Sequence, residues 1–141
     1  MSDQRPANFG VAEIIRWIRE NDNRGTCFDG WPDNILAAYL QFNHANGNLY
    51  LVEESGELVA VAIGSQMDEG DIDRHWFSGR EDGDIFYVSQ LISKKKAAVA
   101  TCVDEMRERL PGWEKFRLFA LRRGVKREFK QGLFERLLAW R

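Results

Sequence analysis

The sequence predicts an α/β or α+β domain in which a mixed sheet is flanked by helices. Three observations point there. Apolar residues recur at helical spacing in two early segments, two β-type runs form a hairpin after them, and a strand–helix–strand unit follows. A hairpin makes antiparallel neighbours and a strand–helix–strand crossover makes parallel ones, so the sheet must be mixed. The 141 residues suit a single domain spanning 1–141 with a core of its own.

The first helix is expected at 10–21, because Val11, Ile14, Ile15 and Ile18 fall at i, i+3, i+4 and i+7 and share one face. Trp31-Pro32-Asp33-Asn34 then supplies proline and cap-type residues ahead of Ile35, Leu36, Tyr39, Leu40 and Phe42, which predicts a second helix over 33–45. Asn46-Gly47 stops it.

Strands are expected at 48–53 and 57–65, separated by Glu54-Ser55-Gly56. In the second, Leu58, Ala60 and Ala62 alternate with Val59, Val61 and Ile63, which implies that both faces are covered. The small Ala60, Ala62 and Gly64 leave room for a close neighbour. Residues 66–84 read as a long acidic loop pinned by Trp76 and Phe77. A third strand is expected at 85–92, a third helix at 96–110 ended by Pro111-Gly112, and a fourth strand at 115–122. Beyond Gly124 the chain is basic, and Leu133, Phe134, Leu137, Leu138 and Trp140 suggest a last amphipathic helix.

Charge is uneven along the chain. Residues 1–92 carry 6 basic and 16 acidic side chains, and residues 93–141 carry 14 and 6, so halves of −10 and +8 make the net −2. Clustered basic groups attract an anionic ligand or partner, unless folding intermixes the halves. The tail residues Arg122, Arg123, Lys126, Arg127 and Lys130 would suit nucleic acid or an acidic carrier protein, but one charged helix face explains them as well, and nucleic acid is the weaker expectation.

Several classes are disfavoured. No apolar run approaches the roughly 20 residues of a membrane helix and the first residues lack a secretory core, which points to a cytoplasmic protein without a membrane span. Cys27 and Cys102 are too isolated for a metal or redox pair and read as reduced core thiols. Asp68, Asp71 and Asp73 miss the spacing of a calcium loop, so no metal is expected. Glycine-rich nucleotide motifs are absent from the sequence.

The most specific signal is Leu91-Ile92-Ser93-Lys94-Lys95-Lys96 running straight into Ala97-Ala98-Val99-Ala100. A strand that feeds directly into a helix presents unpaired N–H groups and the positive dipole end, and lysines there oppose that dipole unless an anion is bound. A pyrophosphate is expected at this turn.

The order of two helices, a hairpin, a strand, this helix and another strand resembles the GNAT superfamily of acyl-coenzyme A N-acyltransferases over about residues 10–123. The superfamily's helix-start motif, Gln/Arg-x-x-Gly-x-Gly/Ala, would match Lys95, Ala98 and Ala100 here. Trp31-Pro32, Trp76-Phe77-Ser78-Gly79, Arg109-Leu110-Pro111-Gly112-Trp113 and Phe116-Arg117-Leu118-Phe119-Ala120 are similar to segments of the toxin-activating lysine acyltransferases, which use acyl carrier protein as donor. Where that family has its catalytic His and Asp, this sequence has Phe28 and Ser89.

The resemblance implies a GNAT-like fold with a mostly antiparallel sheet. It also implies acyl transfer from acetyl-CoA, another acyl-CoA or acyl carrier protein to an amine, on a small molecule or a protein lysine. Leu91, Ser93, Lys94, Lys95, Lys96 and Ala98 would hold the donor, with its pantetheine arm along the third strand. Acyl transfer needs a base and oxyanion donors. Asp84 and Ser89 on or beside that strand are the better-placed candidates, and His75 in the acidic loop is the third. His44, near the end of the second helix, reads as a dipole partner. The alternative is a catalytically inactive GNAT-fold module that binds a protein or nucleic acid.

Overall fold

The computed structural model describes residues 9–22, 30–71, 83–122, 125–130 and 136. Three helices and five strands run in the order α1 (Val11–Asn21), α2 (Asp33–Ala45), β1 (Leu49–Glu54), β2 (Glu57–Met67), β3 (Ile85–Ser93), α3 (Lys96–Arg109), β4 (Arg117–Arg122) and β5 (Val125–Phe129). The strands lie side by side in chain order. All neighbours are antiparallel except β3 and β4, which are parallel with α3 as their crossover. The architecture is therefore α+β with a mixed sheet, as the hairpin and the crossover require. No helix among the described residues is long and apolar enough to cross a membrane.

Two large cores lie on opposite faces of the sheet, and a third, smaller cluster gathers Met67, Ile85, Tyr87 and Phe119. On one, α1 and α2 bury Ile14, Ile18, Leu36 and Leu40 against Val61, Ile63 and Ile92. On the other, α3 buries Ala98, Cys102, Val103 and Met106 against Tyr50, Ala60, Ala62, Phe86 and Val88. Each large apolar side chain so removed from water contributes roughly 1.5–3 kcal/mol. The close neighbour for which Ala60 and Ala62 leave room is α3.

Two register shifts change which face a residue reaches. Val52 pairs with Ala60 but Glu53 pairs with Leu58, so Val59 is an extra residue in β2. Leu58 consequently packs under α1 and α2, while Val59 packs on the α3 side. The simple alternation expected from sequence, which grouped Leu58 with Ala60 and Ala62, fails at this bulge because one added residue inverts the pleat. The second shift lies in β3: Ile63 pairs with Gln90 and Gly64 with Val88, which leaves Ser89 as the extra residue.

Beyond the fourth strand the sequence reading needs correction. Val125–Phe129 form β5, paired antiparallel with β4 from Leu118↔Phe129 to Arg122↔Val125, so Lys126 and Arg127 belong to a strand rather than to a charged helix face. Residues 133–135 and 137–140 of the expected last helix lie outside the described residues. The charge halves are partly stitched together: Lys95 pairs with Glu54, and Arg117 contacts both Glu69 at 2.6 Å and Glu128 at 2.8 Å.

Cys102 is fully buried in the α3 core, and its thiol is pushed up to about 12, first by burial and then by Glu105. The thiolate is the reactive species, so Cys102 should resist alkylation at pH 8 in the native protein and react within minutes in denaturant. Mass-resolved labelling checks this, and rapid native labelling at Cys102 would contradict it.

Candidate functional site

The parallel pair opens where the register of β3 changes. β4 pairs with β3 only from Ile85↔Arg117 to Val88↔Ala120, whereas β2 pairs with β3 as far as Ser93. From Ser89 onward, no described strand lies against the β4-facing edge of β3. β4 continues to Arg122 in the company of β5 alone. A bulge twists and bends the strand that carries it, so the extra residue Ser89 sits where the two strands part. The resulting edge can offer main-chain N–H and C=O groups to an extended, amide-bearing ligand.

At the far end of that edge β3 turns into α3. The Ser93 hydroxyl donates to the Lys95 carbonyl at 2.7 Å and accepts from the Lys95 N–H at 3.2 Å. The Lys94 N–H is used by the Val59 carbonyl at 2.9 Å. Lys95 is the N-cap, and no side chain caps the helix. Lys94, Lys95 and Lys96 are all exposed around the first turn. The Lys95 ammonium contacts the Glu54 carboxylate from the hairpin tip.

Ala98 and Ala100 are buried, at 2% and 0% exposure. Their methyl groups face the protein rather than an anion, and the Ala98 N–H bonds to the Lys95 carbonyl at 3.1 Å. Of the residues expected to hold a donor, Leu91, Ser93 and the three lysines therefore share one accessible run, while the side chain of Ala98 serves packing. Leu91 is 38% exposed, unusual for an apolar residue inside a sheet, and it lies on the open stretch of β3.

Among the catalytic candidates, Ser89 is at the opening and Asp84 is not. The Ser89 side chain is 4% exposed and its hydroxyl lies 2.9 Å from the Tyr39 hydroxyl of α2. Asp84 precedes β3, is exposed, and accepts the Glu69 N–H at 3.3 Å. Five residues of extended chain, about 16 Å, separate it from Ser89. His75, Phe28, Trp76 and Phe77 lie outside the described residues.

The sequence reading missed Tyr39, which it took only as part of an apolar helix face. Its ring packs edge-on against Trp31 at 5.5 Å, and its hydroxyl crosses from α2 to the bulge. One turn on, the buried Asn43 ties to the Tyr39 carbonyl at 2.8 Å. Trp31-Pro32 at the head of α2 was the available signal, since an aromatic there can pin a ring one helical stretch away. Tyr39→Phe should cost about 1–2 kcal/mol by leaving the buried Ser89 hydroxyl without this partner. Chemical denaturation measures it, and an unchanged midpoint would show that the bond contributes nothing.

Chemically, the opening joins a strand edge against which no described strand lies, two linked hydroxyls and a lysine-rich helix start. Hydroxyls can hold an oxyanion, but neither Ser nor Tyr at ordinary pH is a strong base. No cluster of possible metal ligands occurs among the described residues. No protein-family model matches the chain, and no curated protein matches it.

Proposed function

We propose that this protein is a GNAT-like N-acyltransferase that moves an acyl group from coenzyme A or acyl carrier protein to an amine. The observation that carries this reading is the parting of the parallel pair β3 and β4 at the Ser89 bulge, directly upstream of the lysine-rich start of α3. A phosphopantetheine arm is an extended chain of two amides that ends in a thioester. Its amides would pair with the open edge of β3 from Ser89 to Ser93. Its phosphates would meet the first turn of α3 with Lys94 and Lys96, where dipole and ammonium groups act together.

The thioester would then lie beside Ser89. The acceptor loses its ammonium proton to water, its nitrogen attacks the thioester carbon, the tetrahedral oxyanion takes hydrogen bonds at the bulge, the C–S bond breaks, and the departing thiolate takes the proton that the attacking nitrogen gives up. Transfer is direct, with no acyl-enzyme. The acceptor is an amine on a small molecule or a protein lysine, and the phosphates need no metal from the protein.

A second reading, a binding module without turnover, draws support from Lys95 being paired with Glu54 and Asp84 being turned to Glu69. Thermal unfolding with coenzyme A, acetyl-CoA and acylated carrier protein tests the first reading. Stabilisation by at least one donor is expected, and at 100 times Kd it amounts to about 2.7 kcal/mol. No shift with any of them would overturn it. Stabilisation without acyl transfer to any amine offered would favour the module.

A further inference from the structure

A second site lies at the opposite end of α3 from the lysine-rich turn. A pocket of about 210 Å³ sits between the C-terminal ends of α2 and α3, and Gly64, Ser65 and Gln66 of β2 all line it. Successive side chains of a strand point to opposite faces. Three consecutive residues around one pocket therefore mean that it meets the strand edge-on.

That edge is open. β1 starts at Leu49, opposite Ile63, and the Gly64 N–H reaches back to the Asn48 carbonyl at 3.0 Å. From there to Met67 no described strand lies on the β1 side of β2. Alternate residues send both N–H and C=O to the same side, so the main chain of Gln66 faces the pocket as that of Gly64 does.

Around this edge the walls are mixed: Asn46, Asn48, Ser65 and Gln66 are polar, the aromatic Tyr50 and Phe86 are almost wholly buried, and Arg109 is the one cation among the lining residues. Phe42, Tyr50 and Phe86 line the pocket together with Arg109. The Arg109 guanidinium lies 4.4 Å over the Tyr50 ring. Its Nη1 donates to the Gly47 and Leu49 carbonyls at 3.3 Å each, and Nη2 reaches the Glu105 carboxylate only at 3.5 Å. The bonds to the two carbonyls and to Glu105, its ion-pair partner, are long, Arg109 also hydrogen-bonds the Tyr50 side chain, and a guanidinium has five donors in a fork that matches a carboxylate. The volume falls below the roughly 300 Å³ at which drug-sized sites begin, so an occupant seats a small end group here and runs on along the open edge.

We propose that this pocket captures the C-terminal end of an extended polypeptide. The penultimate residues add to the edge of β2 at Gln66, the terminal carboxylate meets Arg109, and the last side chain lies against Phe42. Strand addition and terminal-carboxylate capture are both established ways to bind peptides. Neither depends on the acyl-transfer reading.

The probes are N-acetyl-alanyl-phenylalanine, its C-terminal amide and its analogue methylated on the phenylalanine nitrogen. Each is titrated into the full chain and followed by amide NMR. The free acid should shift Tyr50, Gln66 and Arg109 saturably. The C-terminal amide should bind about tenfold more weakly, equal to about 1.4 kcal/mol, and the N-methyl analogue should weaken similarly. Because the protein is the same in all three titrations, the comparison does not depend on a variant folding. No saturable shift at these residues at millimolar acid, or equal affinity for all three probes, would overturn the proposal.

Discussion

Gly83→Ala is expected to lower stability by about 3 kcal/mol and the melting temperature by roughly 10 °C. A Cβ built on Gly83 would lie 2.5–2.6 Å from the backbone N, Cα and C atoms of Met67. Nothing there is a flexible side-chain end that could turn away. Met67 is opposite Ile85, at the terminal pair of the β2–β3 ladder, so relief requires two strands of the sheet to part at that end. Gly64→Ala provides an internal scale. Its Cβ would meet Phe86 Cζ at 2.6 Å, but that contact is with a ring, which can tilt against its edge-on partner Trp113 at 5.5 Å. A smaller loss, about 1–2 kcal/mol, is expected. Paired denaturation curves decide the order, and a Gly83→Ala protein as stable as the parent would contradict the close approach.

Lys94→Glu combined with Lys96→Glu should weaken binding of the acyl donor by about 100-fold, or about 2.7 kcal/mol, with little change in melting temperature. Both side chains are exposed around a helix start that already carries partial positive charge. Reversal exchanges two attractions for two repulsions, with the phosphates within a Debye length. Lys95→Ala behaves differently, since it also frees the Glu54 carboxylate beside the turn. Its effect should exceed that of Lys94→Ala and should be relieved by adding Glu54→Gln. Calorimetric titration at low and moderate salt checks both, and donor affinity insensitive to Lys94 and Lys96 would place the phosphates elsewhere.

The periodic parts of the fold were legible in the sequence because periodicity reports burial directly. α2 begins and ends where Pro32, Asp33 and Asn46-Gly47 predict, and the β3–α3 junction falls within one residue of its expected place. Bulges were not legible, because Val59 and Ser89 look like ordinary alternating residues until a partner strand counts past them. For the same reason Leu58 was assigned to the wrong face. β5 was missed because Val125-Lys126-Arg127-Glu128-Phe129 has charged residues in its centre. Its partners explain them: Glu128 makes a two-bond fork with Arg117 of β4, which holds its carboxyl below the ordinary range. An exposed edge gains protection from such charges.

The candidate site divides in the same way. The lysine run and its strand were visible as a local pattern in the chain. The Tyr39–Ser89 contact spans fifty residues of sequence, and Asp84 gave no sign that it would turn toward Glu69. Long-range polar partners are fixed by packing, and packing is not written in any local window.

On the proposed reading, the edge of β3 beyond Ser89, together with the first turn of α3, receives a phosphopantetheine thioester. Amide NMR of the full chain titrated with acetyl-CoA, and separately with acylated carrier protein, tests it residue by residue. Saturable shifts at Ser89–Ser93 and at Lys96 and Ala97 from at least one donor are expected. A folded protein whose amides in these segments stay unmoved at saturating concentrations of both donors would contradict it.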